Sequence, residues 1–336
     1  MPAIDYRHLL RMSDGRGTFE HARYDQPRHE HGYCTDDMAR VLRVAVREPD
    51  PSPAVRQLAE VALRFLHDAR DPDGRFRNRM DRYDRWLDRA TVEDCWGRAL
   101  WGLGTAAARG DIEWLRRSAT AQFDAAAQQR SPMLRPMAFA ALGAAELLAV
   151  HPDHQPARRL LADAADRLPA PRRSAAWPWP EPRLRYANAL LPEAMIAAGR
   201  LLDRPALTRD GLRLLGWLLA RETVGGHLSL TPVGGRGPGE VGPAFDQQPI
   251  EAAALADACV RAAAVDADPR WREGIAAAVS WFDGANDGGH RMWDPATGGG
   301  YDGLTVSGPN LNQGAESTLA LLATLQHSHP LTPAAR

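Results

Sequence analysis

The chain has 336 residues, of which 44% are hydrophobic, and a formal net charge of −1. It can therefore bury a large core, and its interspersed charges form no basic stripe, which argues against a nucleic-acid partner. Three widely spaced cysteines argue against a disulfide framework and favour a reducing compartment. With no apolar leader at the N-terminus and no run of about 18 apolar residues, we expect a cytoplasmic protein without a membrane partner.

The first part of the chain alternates helical patterns with turn signals. A short apolar turn around Leu9 precedes an irregular polar segment, and the first strong helical pattern starts near Thr35. A second helix is predicted from Pro53 to Ala69, where apolar side chains recur at every third or fourth position. The turn sequence DPDG at 71–74 ends this helix, and a short strand is predicted from Arg75 to Met80.

Helical patterns dominate the rest of the chain. Strand-like patterns are limited there to His227–Thr231 and His290–Asp294. Further helices are predicted at 92–109, 111–129, 134–149, 154–167, 187–202, 206–221, 247–264, 269–283 and 312–326. With the first two they make eleven, and the N-terminal turn can supply a twelfth. The sequence therefore predicts an all-α protein with short β-hairpin insertions, and without a linker we expect one domain over residues 1–336.

Polar helix starts recur about every 56 residues between Asp36 and Glu316. Six units of two helices account for the whole length. Stacked helix pairs can form an open solenoid or close on themselves. We expect the closed form, an (α/α)6 toroid, in which alternate helices lie inside and their N-terminal ends surround one cavity.

Acidic residues mark several of these helix starts. Glycoside hydrolysis needs one protonated and one ionised carboxyl group, and neighbouring carboxylates push one another's pKa values apart. A structural interpretation competes, because Thr35 is a good N-cap and acidic first turns stabilise any helix. Thr91 and Asp94 likewise form a near capping box. The candidate catalytic residues are Asp36, Asp37, Glu93, Asp94 and Glu316.

Several polar and aromatic residues are predicted to bind a sugar. Amides suit multidentate hydrogen bonding to polyols, and tryptophans in loops can stack on sugar rings. The candidate substrate-binding residues are His31, Tyr33, Trp177, Trp179, Asn188, Asp246, Gln247, Gln313 and Trp293. Histidine, cysteine and aspartate side chains that could bind a metal lie close together around His29 and Cys34, but their spacing matches no zinc-binding motif. No metal or other cofactor is therefore predicted.

Three strings carry a family resemblance: EHGYCTDDMARVL at 30–42, TVEDCWGRALWGLG at 91–104 and NQGAEST at 312–318. They resemble a bacterial family of uncharacterised carbohydrate-linked proteins with glycosidase-like six-hairpin toroid folds, often encoded beside, or labelled as, glycosyltransferases. The likeness runs from about Gly17 to Leu322. More widely, the chain resembles (α/α)6 glycosidases, sugar epimerases and phosphorylases. The resemblance implies that the five acidic candidates line the cavity, without assigning acid and base.

The first functional hypothesis is a glycoside hydrolase acting on an oligosaccharide. Asp37 or Glu316 would be the base, and Glu93 or Asp94 the proton donor. A carboxyl separation of about 6.5–9.5 Å would predict inversion at the anomeric carbon, and about 5–5.5 Å retention.

Two alternatives stay open at this point. A sugar epimerase or isomerase would need a histidine such as His29, His31 or His290 at the cavity centre as a proton shuttle. A non-catalytic carbohydrate-binding partner of a glycosyltransferase would bind sugar even after every acidic candidate is removed. The sequence does not assign an oligomeric state.

Overall fold

A computed structural model describes residues 4–328 and contains twelve α-helices in that part of the chain. The predicted eleven helices are confirmed, together with the twelfth from the N-terminal turn, and most predicted ends lie within one helical turn of those observed. The helices are α1 (Arg7–Arg11), α2 (Thr35–Arg47), α3 (Pro53–Ala69), α4 (Asp94–Arg109), α5 (Glu113–Ala126), α6 (Leu134–Val150), α7 (Gln155–Ala165), α8 (Leu190–Leu201), α9 (Pro205–Arg221), α10 (Pro249–Ala263), α11 (Arg270–Phe282) and α12 (Ala315–Gln326).

The helices form two concentric layers. The inner helices contact one another in the order α2, α4, α6, α8, α10 and α12, and α12 packs against α2 to close the ring. Each of α3, α5, α7, α9 and α11 packs outside the inner helix that precedes it, and α1 packs on α12. The chain is therefore an (α/α)6 toroid, as the sequence predicts.

The burial of the two layers follows their sequences. In α6 every residue from Arg135 to Leu148 is buried, as expected for a helix surrounded by protein. The outer helix α3 instead buries one stripe that includes Leu58 and Phe65 and exposes its other face. Ser52 caps α3 by accepting a hydrogen bond from the Val55 N–H, which fixes where this helix begins.

Glycines allow two inner helices to approach closely. A Cβ atom on Gly104 of α4 would lie 2.1 Å from the carbonyl oxygen of Gly143 on α6. A Cβ atom on Gly143 would lie 2.1 Å from the carbonyl oxygen of Leu100. Since no side chain fits at such distances, these glycines set the spacing between α4 and α6.

Buried ion pairs also join the inner helices. Arg43 and Arg47 of α2 both pair with Asp257 of α10, at 3.1 Å and 3.0 Å. Arg261 of α10 pairs with Glu146 of α6 at 3.0 Å. Although burial opposes its charge, Glu146 has a pKa lowered to about 2 by Arg261 and other nearby arginines, so it stays ionised.

Short antiparallel strand pairs lie in the segments between the helices. They are β1 (Ala22–Arg23) with β2 (Gln26–Pro27), β3 (Tyr33–Cys34) with β4 (Arg79–Met80), β5 (Thr223–Val224) with β6 (His227–Leu228), and β7 (Gly303–Thr305) with β8 (Gly308–Asn310). The strand predicted at His290–Asp294 is wrong. There the Met292 N–H donates to the carbonyl of Phe282 at the end of α11, and only an isolated bridge joins Trp293 to Gly300. None of the described helices combines the length and apolarity needed to cross a bilayer.

Candidate active site

A polar cavity of about 400 Å³ opens where several inner helices begin. Its walls come from the segment before α2, the first turns of α2 and α12, the segment before α10, and the hairpin β7–β8. The cavity continues inward past Arg40, Arg98 and Glu316, which also line a smaller space of about 40 Å³ inside the ring. The closed ring therefore brings together helix starts that lie far apart in the sequence.

Asp37 lies in the first turn of α2 and is 3% exposed. Its Oδ1 atom is 2.6 Å from Nη1 of Arg40, and its Oδ2 accepts a hydrogen bond from the Cys34 thiol at 3.1 Å. Burial raises the pKa of Asp37 to about 6; Arg40 opposes this effect, and the charges of Glu316 and Glu20 add to it. Asp37 can therefore hold a proton at mildly acidic pH.

Arg40 joins Asp37 to a second carboxylate. Its Nη2 atom lies 2.5 Å from Oε2 of Glu316, which comes from the first turn of α12 and has a side chain 41% exposed. Burial disfavours the charge on Arg40, but Glu316 and Asp37 raise its pKa overall. A permanent cation thus lies between a buried carboxyl group and an accessible one.

Asp36 and Asp94 meet at a second arginine. Arg98 Nε is 3.4 Å from Asp36 Oδ1, and Arg98 Nη2 is 3.7 Å from Asp94 Oδ2. Asn78 donates to Asp36 Oδ2 at 3.0 Å. Burial raises the pKa of Asp94, whereas Arg98 and a hydrogen bond with Tyr186 oppose the rise. Asp36 lines the cavity as expected. Asp94 does not, contrary to the expectation from the resemblance, and reaches it only through its ion pair with the cavity residue Arg98.

The other two acidic candidates, Asp246 and Glu93, differ in their position relative to the cavity. Asp246 is exposed and lines the cavity. Glu93 is at the N-cap position of α4, where its side chain is exposed to solvent and does not line the cavity. The expectation that Glu93 lines the cavity is therefore corrected.

Trp177 and Trp179 lie in the core. They are 6% and 0% exposed and pack against Trp217 of α9, with ring centroids 5.1 Å and 6.0 Å away. The proline-rich segment that carries them folds back onto α9, which buries both rings. In this structure they offer no stacking face to a sugar, contrary to the sequence prediction.

Two other aromatic candidates also serve the fold. Tyr33 is 1% exposed, and its hydroxyl donates to Asp14 Oδ2 at 2.7 Å. Trp293 is half-buried outside the cavity, and its indole N–H donates to Asp283 Oδ1 at 3.0 Å. Both polar atoms have partners within the protein, as is usual for buried aromatic side chains.

The three amide candidates Asn188, Gln247 and Gln313 are buried and do not line the cavity. Their NH2 groups donate to carboxylates at 3.2 Å, 2.6 Å and 3.2 Å. The acceptors are Glu251, Asp287 and Asp294, respectively. Buried amides need such internal partners, so these residues position loops rather than present donors to a ligand.

The histidines that an epimerase would need are not at the cavity centre. His29, His31 and His290 are exposed and do not line the cavity. His21 lines it instead, with a side chain 48% exposed and Nε2 at 3.7 Å from Oε1 of Glu20. His21 lies in an irregular segment without a sequence motif that would mark it.

Sequence reasoning also missed several charged residues of the cavity. Arg40 follows Asp37 by three positions and Arg98 follows Asp94 by four, a helical spacing that could have identified both arginines. Asp302 belongs to the segment leading into β7 and accepts hydrogen bonds from the Gly314 N–H and the Ser317 hydroxyl. Burial raises the pKa of Asp302. No local sequence pattern identifies Asp302 as a cavity residue.

Glu20, Cys34 and Asp37 place three potential metal-ligand atoms within 4.8 Å of one another. Cationic side chains already meet both carboxylates, because Glu20 pairs with Arg79 and Asp37 with Arg40. Burial also raises the pKa of Cys34, which disfavours the thiolate that a metal would need. These residues therefore fit a charge-paired cavity wall better than a metal centre.

No family model matches the chain, and no curated protein matches it at a significant level. Several solved structures do match the chain. A sugar epimerase from a ruminal bacterium and cellobiose 2-epimerase from Bacillus thermoamylovorans B4167 each share 12% identity over 96% of this chain and 95% of that chain, with a TM-score of 0.72. The cellulase Cel9M of C. cellulolyticum shares 10% identity over 93% of this chain and 86% of that chain, with a TM-score of 0.60. These likenesses confirm the toroid fold, and the closer family resemblance stays a prediction.

Proposed function

We propose that this protein is a glycoside hydrolase that acts on an oligosaccharide through carboxyl groups in the toroid cavity. The observation that carries the proposal is the pairing of Asp37 and Glu316 with the same guanidinium group, that of Arg40. One carboxyl group is buried with a pKa near 6, and the other is accessible beside a cation. Glycoside cleavage requires one protonated and one ionised carboxyl group, and burial favours the proton on Asp37.

In the proposed reaction, Asp37 donates its proton to the glycosidic oxygen as the bond to the anomeric carbon breaks. Glu316 either takes a proton from the attacking water, or attacks the anomeric carbon to form a covalent glycosyl ester that water then cleaves, with Asp37 taking the proton of that water. The two routes give opposite anomers. From the sequence, Asp37 or Glu316 is the expected base and Glu93 or Asp94 the expected donor. Glu93 and Asp94 do not line the cavity, and the raised pKa of Asp37 favours Asp37 as the proton donor.

The rest of the cavity supports a polar, neutral ligand. Carboxylates, arginines and the amides of Gln248 and Asn310 line it together, so both hydrogen-bond donors and acceptors border the space. A volume of about 400 Å³ lies within the ordinary range for small-molecule sites. Asp36, Asp246 and Asp302 would accept hydrogen bonds from sugar hydroxyls.

A sugar epimerase is the second candidate. The likeness to two sugar epimerases at a TM-score of 0.72 favours it, and His21 at the cavity wall could move a proton. The two activities differ in their products. Hydrolysis consumes water and creates a new reducing end, whereas epimerisation gives an isomer of unchanged mass.

A panel of oligosaccharides and aryl glycosides tests the proposal, with product mass and reducing ends measured together. We expect hydrolysis by the wild type and by the control Glu93→Gln, because Glu93 lies outside the cavity. Asp37→Asn should lose hydrolysis of the oligosaccharides, and Glu316→Gln should lose hydrolysis of every substrate. Both variants should still bind sugar. An isomer of unchanged mass that disappears in His21→Ala would replace the proposal with an epimerase. Sugar binding without turnover, unchanged in the carboxyl variants, would indicate a binding partner.

A further inference from the structure

A second, more open groove of about 860 Å³ adjoins the cavity. One wall is the hairpin β1–β2 and the residues after it, and the other is the segment that follows β8. Asn310, at the end of β8, lines both the groove and the cavity. A chain-like ligand with one end in the cavity can therefore extend into the groove.

Tyr24 is the aromatic side chain of this groove and is 58% exposed. Its φ of +54° is in the left-handed region, which is uncommon for a bulky residue. Two hydrogen bonds hold this conformation: the Tyr24 N–H donates to Asn312 Oδ1 at 3.0 Å, and the Tyr24 carbonyl accepts from the Gln313 N–H at 2.9 Å. The position of Tyr24 is thus fixed by the segment that leads into α12, the helix that carries Glu316.

The other groove side chains suit a neutral sugar. Gln26, Asn310 and Asn312 supply amides, and Arg28 pairs with Glu30 at 2.9 Å, so these two charges balance. Arg23 also lines the groove and adds N–H donors that can bond to sugar hydroxyls. An exposed aromatic ring offers a flat apolar surface to one face of a sugar, and amides bond to the hydroxyl groups around its edge. The groove therefore offers the stacking surface that the buried tryptophans Trp177 and Trp179 do not.

We propose that the Tyr24 groove is a distal subsite that binds a further unit of a neutral oligosaccharide whose reacting end is in the cavity. This inference rests on the proposed function for its choice of ligand. It deepens that function by making the preferred substrate longer than the cavity alone can hold.

Calorimetric titration with cello- and manno-oligosaccharides, from disaccharide to hexasaccharide, tests the subsite in the full-length protein. We expect affinity to rise with chain length in the wild type and in Tyr24→Phe, which keeps the ring. Tyr24→Ala should weaken binding of the longer oligosaccharides about three- to tenfold and leave the shortest binding ligand unchanged. Tyr83→Ala is the matched control, because Tyr83 is 60% exposed but lies outside the groove.

Affinity that does not depend on chain length, equal weakening by Tyr24→Ala and Tyr83→Ala, or failure of every probe to bind would overturn the subsite. Turnover of aryl glycosides, measured in parallel, separates this result from the hydrolase proposal. If they are hydrolysed normally while Tyr24→Ala has no effect, only the subsite fails. If Tyr24→Ala weakens binding but no substrate is cleaved, only the hydrolase fails.

Discussion

The carboxyl group of Asp37 lies 2.6 Å from the guanidinium group of Arg40, yet its pKa is raised to about 6. An arginine at this distance ordinarily lowers the pKa of a carboxyl group. Here burial dominates, and the negative charges of Glu316 and Glu20 reinforce it. The proposed proton donor thus owes its protonation to its depth in the cavity wall.

The first prediction concerns the pH dependence of hydrolysis. Because Asp37 must be protonated to donate, kcat/KM should decline as pH rises through about 6. Asp37→Asn should lower kcat/KM on oligosaccharides by about 10²- to 10⁴-fold and abolish this decline. A pH–rate profile of both proteins checks this, and an unchanged decline in the variant would assign it to another group.

The second prediction concerns stability. The pKa of Asp37 is higher in the folded protein than its ordinary value of 3.8. Asp37 therefore favours folding most below pH 3.8, and this contribution to stability is lost as pH rises through about 6. The free energy of unfolding of Asp37→Asn minus that of the wild type should increase by up to about 3 kcal/mol from pH 4 to pH 7. Urea denaturation at both pH values measures the change, and a constant difference between the proteins would contradict it.

The third prediction concerns Arg40. Its charge lowers the pKa of Asp37, so Arg40→Met should raise that pKa and move the decline in kcat/KM to higher pH. Arg40→Lys should keep the decline closer to its wild-type position because a cation remains. If Arg40→Met moves the decline to lower pH, Arg40 does not act on Asp37 in this way.

The fourth prediction concerns the packing of α4 against α6. Gly143→Ala should reduce the free energy of unfolding by about 1–3 kcal/mol or more, since its Cβ would collide with the Leu100 carbonyl. Gly239→Ala is the control, because a Cβ there meets no atom within 4 Å. Thermal and urea denaturation compare the two, and equal stability of both variants would contradict the close packing.

The fold was largely predictable because helical periodicity and the recurring polar helix starts are local features. The start of α2 at Thr35 and the range of α3 both follow from such patterns. The site was predictable only in part. Asp37 and Glu316 belong to helix starts and meet once the ring closes, whereas Glu20 and Asp302 come from irregular segments whose position depends on tertiary packing. The prediction that Trp177 and Trp179 stack on a sugar is wrong because both rings pack on Trp217. The composition of a loop does not show whether it folds back on a helix or stays exposed.

A comparison of leaving groups tests the central claim most directly. A dinitrophenyl glycoside departs without help from an acid, whereas the glycosidic oxygen of an oligosaccharide needs a proton. If Asp37 is the proton donor, Asp37→Asn should keep most of its bond-cleavage activity on the dinitrophenyl glycoside and lose it on the oligosaccharide, while Glu316→Gln loses both. An equal loss on both substrates in Asp37→Asn would contradict the assignment of Asp37 as the donor.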